Sequence, residues 1–274
     1  MAPGWDAAIN AGKESVVWDL QRDPTLGPAL CRRAHVVLEG FRPGVAARLG
    51  IGPDDVPESV VYCSVTGFGE GDQRPGHDLN YLGWAGVLAE TAPALPPIQI
   101  ADLAGGALYA VIEILAALVE RQRTGRGARL NVSMTHNAHR FAAHRLHGEP
   151  ERLLTGALAC YRIYETRDGR FLTISPLESK FWVRLCEVIG RPDLIKRHYD
   201  DDQEQLATEL ASCFRERTLA DWLELFEGED VMAGPVWTLT EAATRFGVPP
   251  PAGEPPALGE HTKRWRAELA PLDV

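Results

Sequence analysis

Two stretches of sequence decide the fold: AHVVLE at residues 34–39 and SVVYCSV at residues 59–65. Both are rich in the β-branched and aromatic residues that favour strands. A helical stretch at residues 26–33 precedes the first of them, and another strand-like stretch, residues 15–20, precedes that helix. Strands that alternate with helices are typical of a parallel sheet covered by helices, so the sequence predicts an α/β fold.

The same alternation continues after residue 100. A long amphipathic helix, rich in Ala, Leu, Ile and Val, is predicted at residues 102–123, ending at Gly125, and a strand at residues 128–134 follows it. The first turn of this helix contains Gly105 and Gly106, where alanine would favour a helix more strongly. Glycine destabilises the helix at that point, but it lets another backbone or a ligand approach closely.

A change of pattern at residues 148–151, which read GEPE, marks a domain boundary. We expect a large α/β domain at residues 1–148, a small α+β domain at residues 149–236 and a proline-rich tail at residues 237–274 that returns to the large domain. The turn RDG at residues 167–169 separates two strand-like stretches and is a strong hairpin signal. Helices are predicted in the small domain at residues 178–189, 203–217 and 219–226.

The composition argues against several function classes. Lys and Arg number 28 against 38 Asp and Glu, so the net charge is −10, and neither nucleic acid nor an anionic membrane is an expected partner. The N-terminus lacks the layout of a signal peptide and no apolar run approaches the length of a membrane span, which predicts a cytoplasmic protein. Five widely spaced cysteines without a C-x-x-C pair predict reduced, mostly buried thiols.

Two short motifs are specific enough to suggest a family. GHDLNY at residues 76–81 and ADLAGG at residues 101–106 resemble the catalytic-histidine and catalytic-aspartate motifs of the α-methylacyl-CoA racemase and class III CoA-transferase (CaiB/BaiF) family. Further matching segments follow the family order at residues 38–45, 123–127, 161–169, 177–182 and 258–262. The resemblance implies a Rossmann-like parallel-sheet domain with a smaller α+β domain, an intertwined homodimer and an acyl-CoA or related carbonyl substrate. It implies no tightly bound cofactor, because coenzyme A enters as part of the substrate.

The resemblance assigns the chemistry to three side chains. His77 removes the proton from the carbon alpha to the thioester carbonyl, a step that suits a base of near-neutral pKa. Asp102 returns a proton on the opposite face, and the N–H groups after it either stabilise the enolate or hold Asp102 ionised. Glu178 hydrogen-bonds His77 and sets its tautomer. Taken alone, each of the three also fits a structural role at the start of a helix.

Three more residues are predicted to bind the coenzyme. Arg42 lies in the motif FRPG, whose arginine helps to bind the CoA phosphates in the family, and an arginine fork suits that task. A surface arginine that flanks the turn before Pro43 is the structural alternative. Asp78 and Tyr81 lie beside His77 and are predicted to line the pantetheine channel.

The aspartate also supports a second reaction. In the transferase branch it attacks an acyl-CoA to form a mixed anhydride and then an enzyme-bound CoA thioester, with no need for a histidine base. Racemisation or epimerisation is favoured here because the histidine motif and Glu178 are both present. The chain begins after the first strand, helix and strand of the family, so it resembles an N-terminally shortened member. A third possibility is therefore a member recruited to a different carbonyl rearrangement or to binding without turnover.

The predicted helix at residues 135–147 is unusually rich in histidine. Its four histidines fall on one broad arc, as a metal site requires, and they are His136, His139, His144 and His147. No carboxylate pattern accompanies them, so we predict no metal and interpret the arc as a polar pocket wall or a solvated face. If it is a pocket wall, the substrate is not a simple fatty acyl chain.

Overall fold

The computed structural model describes residues 9–19, 22–89, 91–146, 153–248 and 253–270. It divides into two compact units: a first unit of Met1–His144 with Pro250–Val274, and a second unit of Arg145–Pro249. The described strands are β1 (Val36–Glu39), β2 (Val61–Thr66), β3 (Arg129–Ser133), β4 (Arg162–Glu165), β5 (Phe171–Ile174) and β6 (Ala233–Pro235). The described α-helices are α1 (Leu26–Arg33), α2 (Val45–Arg48), α3 (Asp78–Trp84), α4 (Tyr109–Thr124), α5 (Met134–Ala142), α6 (Ser179–Val188), α7 (Gln203–Phe214), α8 (Leu219–Leu225), α9 (Leu239–Phe246) and α10 (Thr262–Leu269).

The first unit is built on a parallel sheet in the order β1-β2-β3. The central strand β2 is the most buried, with Val61 and Cys63 fully shielded from solvent. Burial on both faces is expected of a central parallel strand covered by helices, and it explains the continuous apolar sequence of β2. The predicted α/β class with a parallel sheet is therefore confirmed.

The helix predicted at residues 102–123 consists of two parts. Ala101–Leu108 forms a π-helix, which runs directly into α4. α4 ends as predicted, with Gly125 in the left-handed conformation at φ 73°. A π-helix at the start of the element was not predicted, because the sequence pattern gives no sign of the wider turn that tertiary packing imposes.

One predicted strand in the first unit is wrong. Residues 15–19 are not part of any sheet, and Leu20, the last residue of the predicted strand, lies outside the described residues. Instead, the carbonyl of Ser15 accepts the N–H of His261 at 2.9 Å, and the N–H of Val17 donates to the Thr262 hydroxyl at 2.9 Å. The backbone groups of this segment are satisfied by the C-terminal segment and are not available for a sheet.

The second unit contains an antiparallel sheet in the order β4-β5-β6. The predicted hairpin is confirmed, with Gly169 at φ 69° in its turn. The core of the second unit is a cluster of large side chains that are almost completely buried, among them Trp182, Phe214 and Trp222. This antiparallel sheet with its helices confirms the predicted smaller α+β domain.

A strand and an α-helix of the second unit were not predicted, and neither was the 3-10 helix Pro192–Arg197. The short edge strand β6 contains Gly234 and Pro235, residues that disfavour strands but are tolerated at a sheet edge. α9 falls within the predicted tail at residues 237–274, yet it groups with the second unit. It is held there by an ion pair between Arg170 and Glu241, with an N–O distance of 2.9 Å.

The continuous helix Ala101–Thr124 corrects the prediction that no apolar run approaches the length of a membrane span. It spans 24 residues with a mean hydropathy of 1.8 in its most apolar window, so it is long and apolar enough to cross a membrane by length and composition alone. Only 17% of that window is buried. Five exposed apolar side chains follow each other along one face of α4 and its N-terminal end, and we call them the apolar stripe: Leu108, Val111, Ile112, Leu115 and Val119. The expected cytoplasmic location stays a prediction.

Candidate active site

A cleft of about 550 Å³ opens in the first unit beyond the carboxyl ends of β1 and β2. Ligands of parallel α/β sheets bind at this edge, and the volume suits a small-molecule substrate. The polar side chains that line it are Arg42, Thr66, Asp72, Arg74, His77, Asn80 and Tyr81. We call this the His77 cleft. Two of the predicted coenzyme-binding residues, Arg42 and Tyr81, are therefore placed beside His77.

His77 lies at the start of α3, where its own backbone is fixed and its ring is exposed. The Asn80 side chain accepts the backbone N–H of His77 at 3.1 Å, as in a capping box with His77 at the N-cap position. The His77 side chain is exposed on the cleft wall. Its catalytic role stays a prediction.

Two glycines and a tyrosine hold the segment before His77 in place. The Tyr81 hydroxyl donates to the Gly76 carbonyl at 2.6 Å. A Cβ atom at Gly67 or Gly76 would lie only 2.4 Å or 2.7 Å from the Tyr81 ring. Glycine is required at both positions because the buried ring occupies the space of a side chain. Tyr81 is thus a structural support for the histidine as well as part of the cleft lining.

Asp102 lies in the first turn of the π-helix, half-buried, and its backbone N–H donates to the Asp78 carboxylate at 2.9 Å. Burial raises the pKa of the Asp102 carboxyl, the negative charge of Asp78 raises it further, and His77 partly opposes both effects. His77 and Asp102 are thus within electrostatic range of each other. Asp102 is not among the described residues that line the His77 cleft, and the shared cavity that the catalytic pair requires stays a prediction.

The glycines after Asp102 serve helix packing. The Asn137 side chain donates to the Gly105 carbonyl at 2.8 Å, and a Cβ atom at Gly105 would lie 2.9 Å from the Met134 carbonyl oxygen. The glycines predicted that another backbone or a ligand approaches this turn closely, and the backbone of α5 does so. The Asp102 N–H donates to Asp78 and the pKa of Asp102 is raised, while the role of the N–H groups after Asp102 stays a prediction.

The two remaining predicted residues occupy different environments from those expected. Asp78 was predicted to line the pantetheine channel, but its carboxylate binds the Asp102 backbone and it is not among the described cleft-lining residues. Glu178 is exposed in the second unit, at the N-cap position of α6. Its hydrogen bond to His77 stays a prediction.

A second arginine in the cleft was not predicted. Arg74 forms a bidentate ion pair with Asp72, with the shorter N–O distance at 2.6 Å. Its guanidinium also lies over the rings of Phe68 and Trp84, 4.3 Å and 4.2 Å from their centroids. The sequence signal was its position three residues before His77, but the aromatic partners come from other parts of the chain.

The histidine-rich helix shows no metal site within the described residues, where no three His, Cys, Asp or Glu side chains cluster. His136 bonds the Ser133 hydroxyl at 2.7 Å, His139 the Ala85 carbonyl at 3.0 Å and His144 the Phe141 carbonyl at 3.1 Å. His147 lies outside the described residues. Each described histidine thus has its own oxygen partner, and the three do not share a centre.

Known proteins resemble this chain in sequence and in fold. The sequence model of CoA-transferase family III matches residues 2–247. Alpha-methylacyl-CoA racemase from Mus musculus is 31% identical over 255 residues, which cover 84% of this chain and 67% of that protein. The probable fatty acyl-CoA transferase Rv3272 from Mycobacterium tuberculosis is 32% identical over 263 residues, 82% of this chain and 66% of that protein. A crystal structure of Rv3272 matches with a TM-score of 0.79 at 30% identity, covering 93% of this chain and 84% of that one.

Proposed function

The chain belongs to CoA-transferase family III, whose similar members include a racemase and CoA-transferases, and we propose that it is a racemase or epimerase that acts alpha to a thioester carbonyl. The observation that supports this choice is the position of His77 on the cleft wall directly before Asp78, whose carboxylate accepts the Asp102 backbone N–H at 2.9 Å and so brings the two motifs together. A transferase needs the aspartate but no histidine base, whereas inversion at a carbon needs an acid–base group on each side.

The proposed reaction uses the pair in two steps. One group removes the alpha proton, and the electron pair of the broken C–H bond moves onto the thioester oxygen as an enolate. The other group then donates a proton to the opposite face of the same carbon. Burial and the charge of Asp78 raise the pKa of Asp102, which brings it closer to the ordinary pKa of histidine. A smaller difference between the two pKa values suits a pair in which either group can remove or donate the proton.

Solvent deuterium tests the proposal directly. A single enantiomer of a short 2-methylacyl-CoA is incubated with the protein in D₂O, and mass spectrometry follows deuterium at the alpha carbon while chiral chromatography follows inversion. We expect incorporation together with loss of optical purity. No incorporation, with CoA binding intact by calorimetry, contradicts the proposal.

The transferase is the second candidate, and the raised pKa of Asp102 favours it too, because a more basic carboxylate is a better nucleophile. Its test is hydroxylamine trapping after incubation with an acyl-CoA in the absence of an acceptor carboxylate. Formation of a hydroxamate at Asp102, with no deuterium exchange, establishes transfer over isomerisation. Absence of both reactions and of CoA binding favours a recruited, different role.

We infer that coenzyme A is held as part of the substrate and that Arg42 binds its phosphates. Arg42 is exposed on the cleft wall directly after β1, and no ion pair of Arg42 is recorded within the described residues. Replacing it with Ala removes a charge-assisted hydrogen bond of about 1.5–3 kcal/mol, so the KM for acyl-CoA is expected to rise about 10- to 100-fold, with little change in kcat. Steady-state kinetics measure this effect.

The control for that variant is Arg123→Ala, which removes an equally charged side chain paired with Glu120 on the surface of α4. Its KM should equal that of the unmodified protein. A similar rise in KM in both variants indicates general electrostatic attraction instead of a phosphate contact at Arg42.

We further infer a homodimer that covers the apolar stripe of α4. Its five side chains are 52–69% exposed, an unusual feature for a continuous helical face in a monomer.

Ile112→Glu places a carboxylate at the centre of the apolar stripe and is expected to weaken association by at least about 100-fold, because a buried unpaired charge costs several kcal/mol. Sedimentation velocity gives the oligomeric state. Ile163→Glu is the matched control, since both isoleucines are 63% exposed; a monomeric unmodified protein contradicts the inference.

A further inference from the structure

One hydrogen bond joins the two motifs of the acid–base pair. The backbone N–H of Asp102 donates to Oδ1 of Asp78 at 2.9 Å, across 24 residues of sequence. Asp78 is the first residue of α3, directly after His77, and Asp102 lies in the first turn of the π-helix. The bond therefore connects the two helix starts that present His77 and Asp102.

The bond has a clear physical basis. The first N–H groups of a helix have no partner within the helix, and they attract negative charge. Asp78 is well placed to meet one of them, because the Asn80 cap and the Tyr81–Gly76 bond fix the start of its own helix. The carboxylate of one helix thus caps the N-terminus of another, in addition to the packing of Tyr81, Leu82 and Ala85 against Ala101.

We propose that Asp78 is a positioning residue whose carboxylate, bonded to the Asp102 backbone N–H, holds Asp102 at a fixed distance from His77. The negative charge of Asp78 also raises the pKa of the Asp102 carboxyl. The proposal rests on the function proposed above. The Asp78 carboxylate repels the Asp102 carboxylate, which is unfavourable for folding. A positioning role for Asp78 accounts for its place beside a carboxylate that takes up and releases a proton.

Among the residues that the structure describes, burial raises the pKa of the Asp102 carboxyl most, the charge of Asp78 raises it further and His77 lowers it. Tyr81, whose own pKa is raised by burial and by the charge of Asp102, faces it from α3. Removal of the Asp78 charge is therefore expected to lower the pKa of Asp102 and to leave the other influences in place.

Two substitutions separate the charge from the bond. Asp78→Asn keeps an oxygen that can accept the Asp102 N–H but removes the charge, whereas Asp78→Ala removes both. In the Asn variant we expect the acidic limb of kcat/KM for alpha-deuterium exchange to move to lower pH, with an unchanged KM. In the Ala variant we expect kcat to fall about 10- to 100-fold, since small misplacements of catalytic groups have effects of that size. Faster amide hydrogen exchange at Asp102 is expected in the Ala variant alone.

A readout independent of activity completes the test. Carboxyl ¹³C NMR titration, assigned with Asp102→Asn, gives the pKa of Asp102 in the unmodified protein, in Asp78→Asn and in Glu120→Gln, which removes a distant surface charge. A lower pKa of Asp102 in Asp78→Asn alone supports the proposal, even if the unmodified protein shows no exchange and the racemase function is rejected. Unchanged amide hydrogen exchange at Asp102 and an unchanged kcat in Asp78→Ala overturn it, whatever the pKa of Asp102. Since Asn preserves the hydrogen bond, this variant is expected to fold.

Discussion

His77→Ala is expected to lower the rate of alpha-deuterium exchange by about 10²- to 10⁴-fold, the usual contribution of a positioned general acid–base group. The loss should appear in kcat, because the ring is exposed in a cleft whose other lining residues remain to bind the substrate. The free energy of unfolding should fall by no more than about 0.5–2 kcal/mol, the usual cost of replacing an N-cap residue, since His77 is the N-cap of α3. Exchange kinetics and urea denaturation of the same preparation measure both quantities.

The matched control is His35→Ala. His35 is also exposed, but it precedes β1 and therefore lies at the amino end of a strand whose carboxyl end borders the cleft. Its exchange rate should stay within about twofold of the unmodified protein, in line with a surface change away from any site. Asp102→Asn should resemble His77→Ala. Exchange that survives in both the His77 and the Asp102 variants contradicts the assignment of the pair.

The sequence was sufficient to predict elements whose apolar pattern matches one buried face. α1 has the predicted bounds, and β2 and β3 differ from prediction by one or two residues at their ends. Prediction failed where the partner of a segment is remote in the chain. Residues 15–19 have strand-like composition, but their backbone groups bond the segment around His261. β6 was missed because its three residues form a strand only through pairing with β5.

The residues of the candidate site also divide into those that local motifs predict and those whose contacts depend on other parts of the chain. His77, Asp102, Arg42 and Tyr81 were recognisable because their motifs are local, and the structure places three of them on one cleft and Asp102 within electrostatic reach. The hydrogen bond of Asp78 joins it to a residue far away in the sequence, so local motifs could not predict that contact. Likewise, no local pattern links Arg74 to the ring of Trp84.

The choice between isomerase and transferase is a different kind of problem, because Asp102 serves both reactions. Its environment, a half-buried carboxyl with a raised pKa, suits a proton carrier and a nucleophile alike. His77 is the side chain whose role differs, since transfer proceeds without a base on the opposite face. The effect of removing His77 therefore separates the two reactions more sharply than any change at Asp102.

The largest effect on stability is expected for Gly127→Ala, between α4 and β3. A Cβ atom there would lie 2.0 Å from the Val60 carbonyl oxygen and 2.4 Å from its carbonyl carbon. These are backbone atoms next to β2 and cannot move aside as a flexible side chain does. The Gly127 N–H also donates to the Glu58 carbonyl at 2.8 Å, so a shift that relieves the clash weakens this bond. We expect a loss of about 3 kcal/mol or more in the free energy of unfolding.

Gly83→Ala is the control, because its Cβ would meet only the Leu88 side chain at 3.9 Å in the last turn of α3. Alanine should stabilise that helix by about 0.5–1 kcal/mol. Urea denaturation followed by circular dichroism compares the two, and equal midpoints contradict the clash at Gly127. Since Gly127 lies away from the cleft, lost activity in that variant should follow the folded fraction, with an unchanged KM. A changed KM instead indicates that the pairing of β2 with β3 also shapes the His77 cleft.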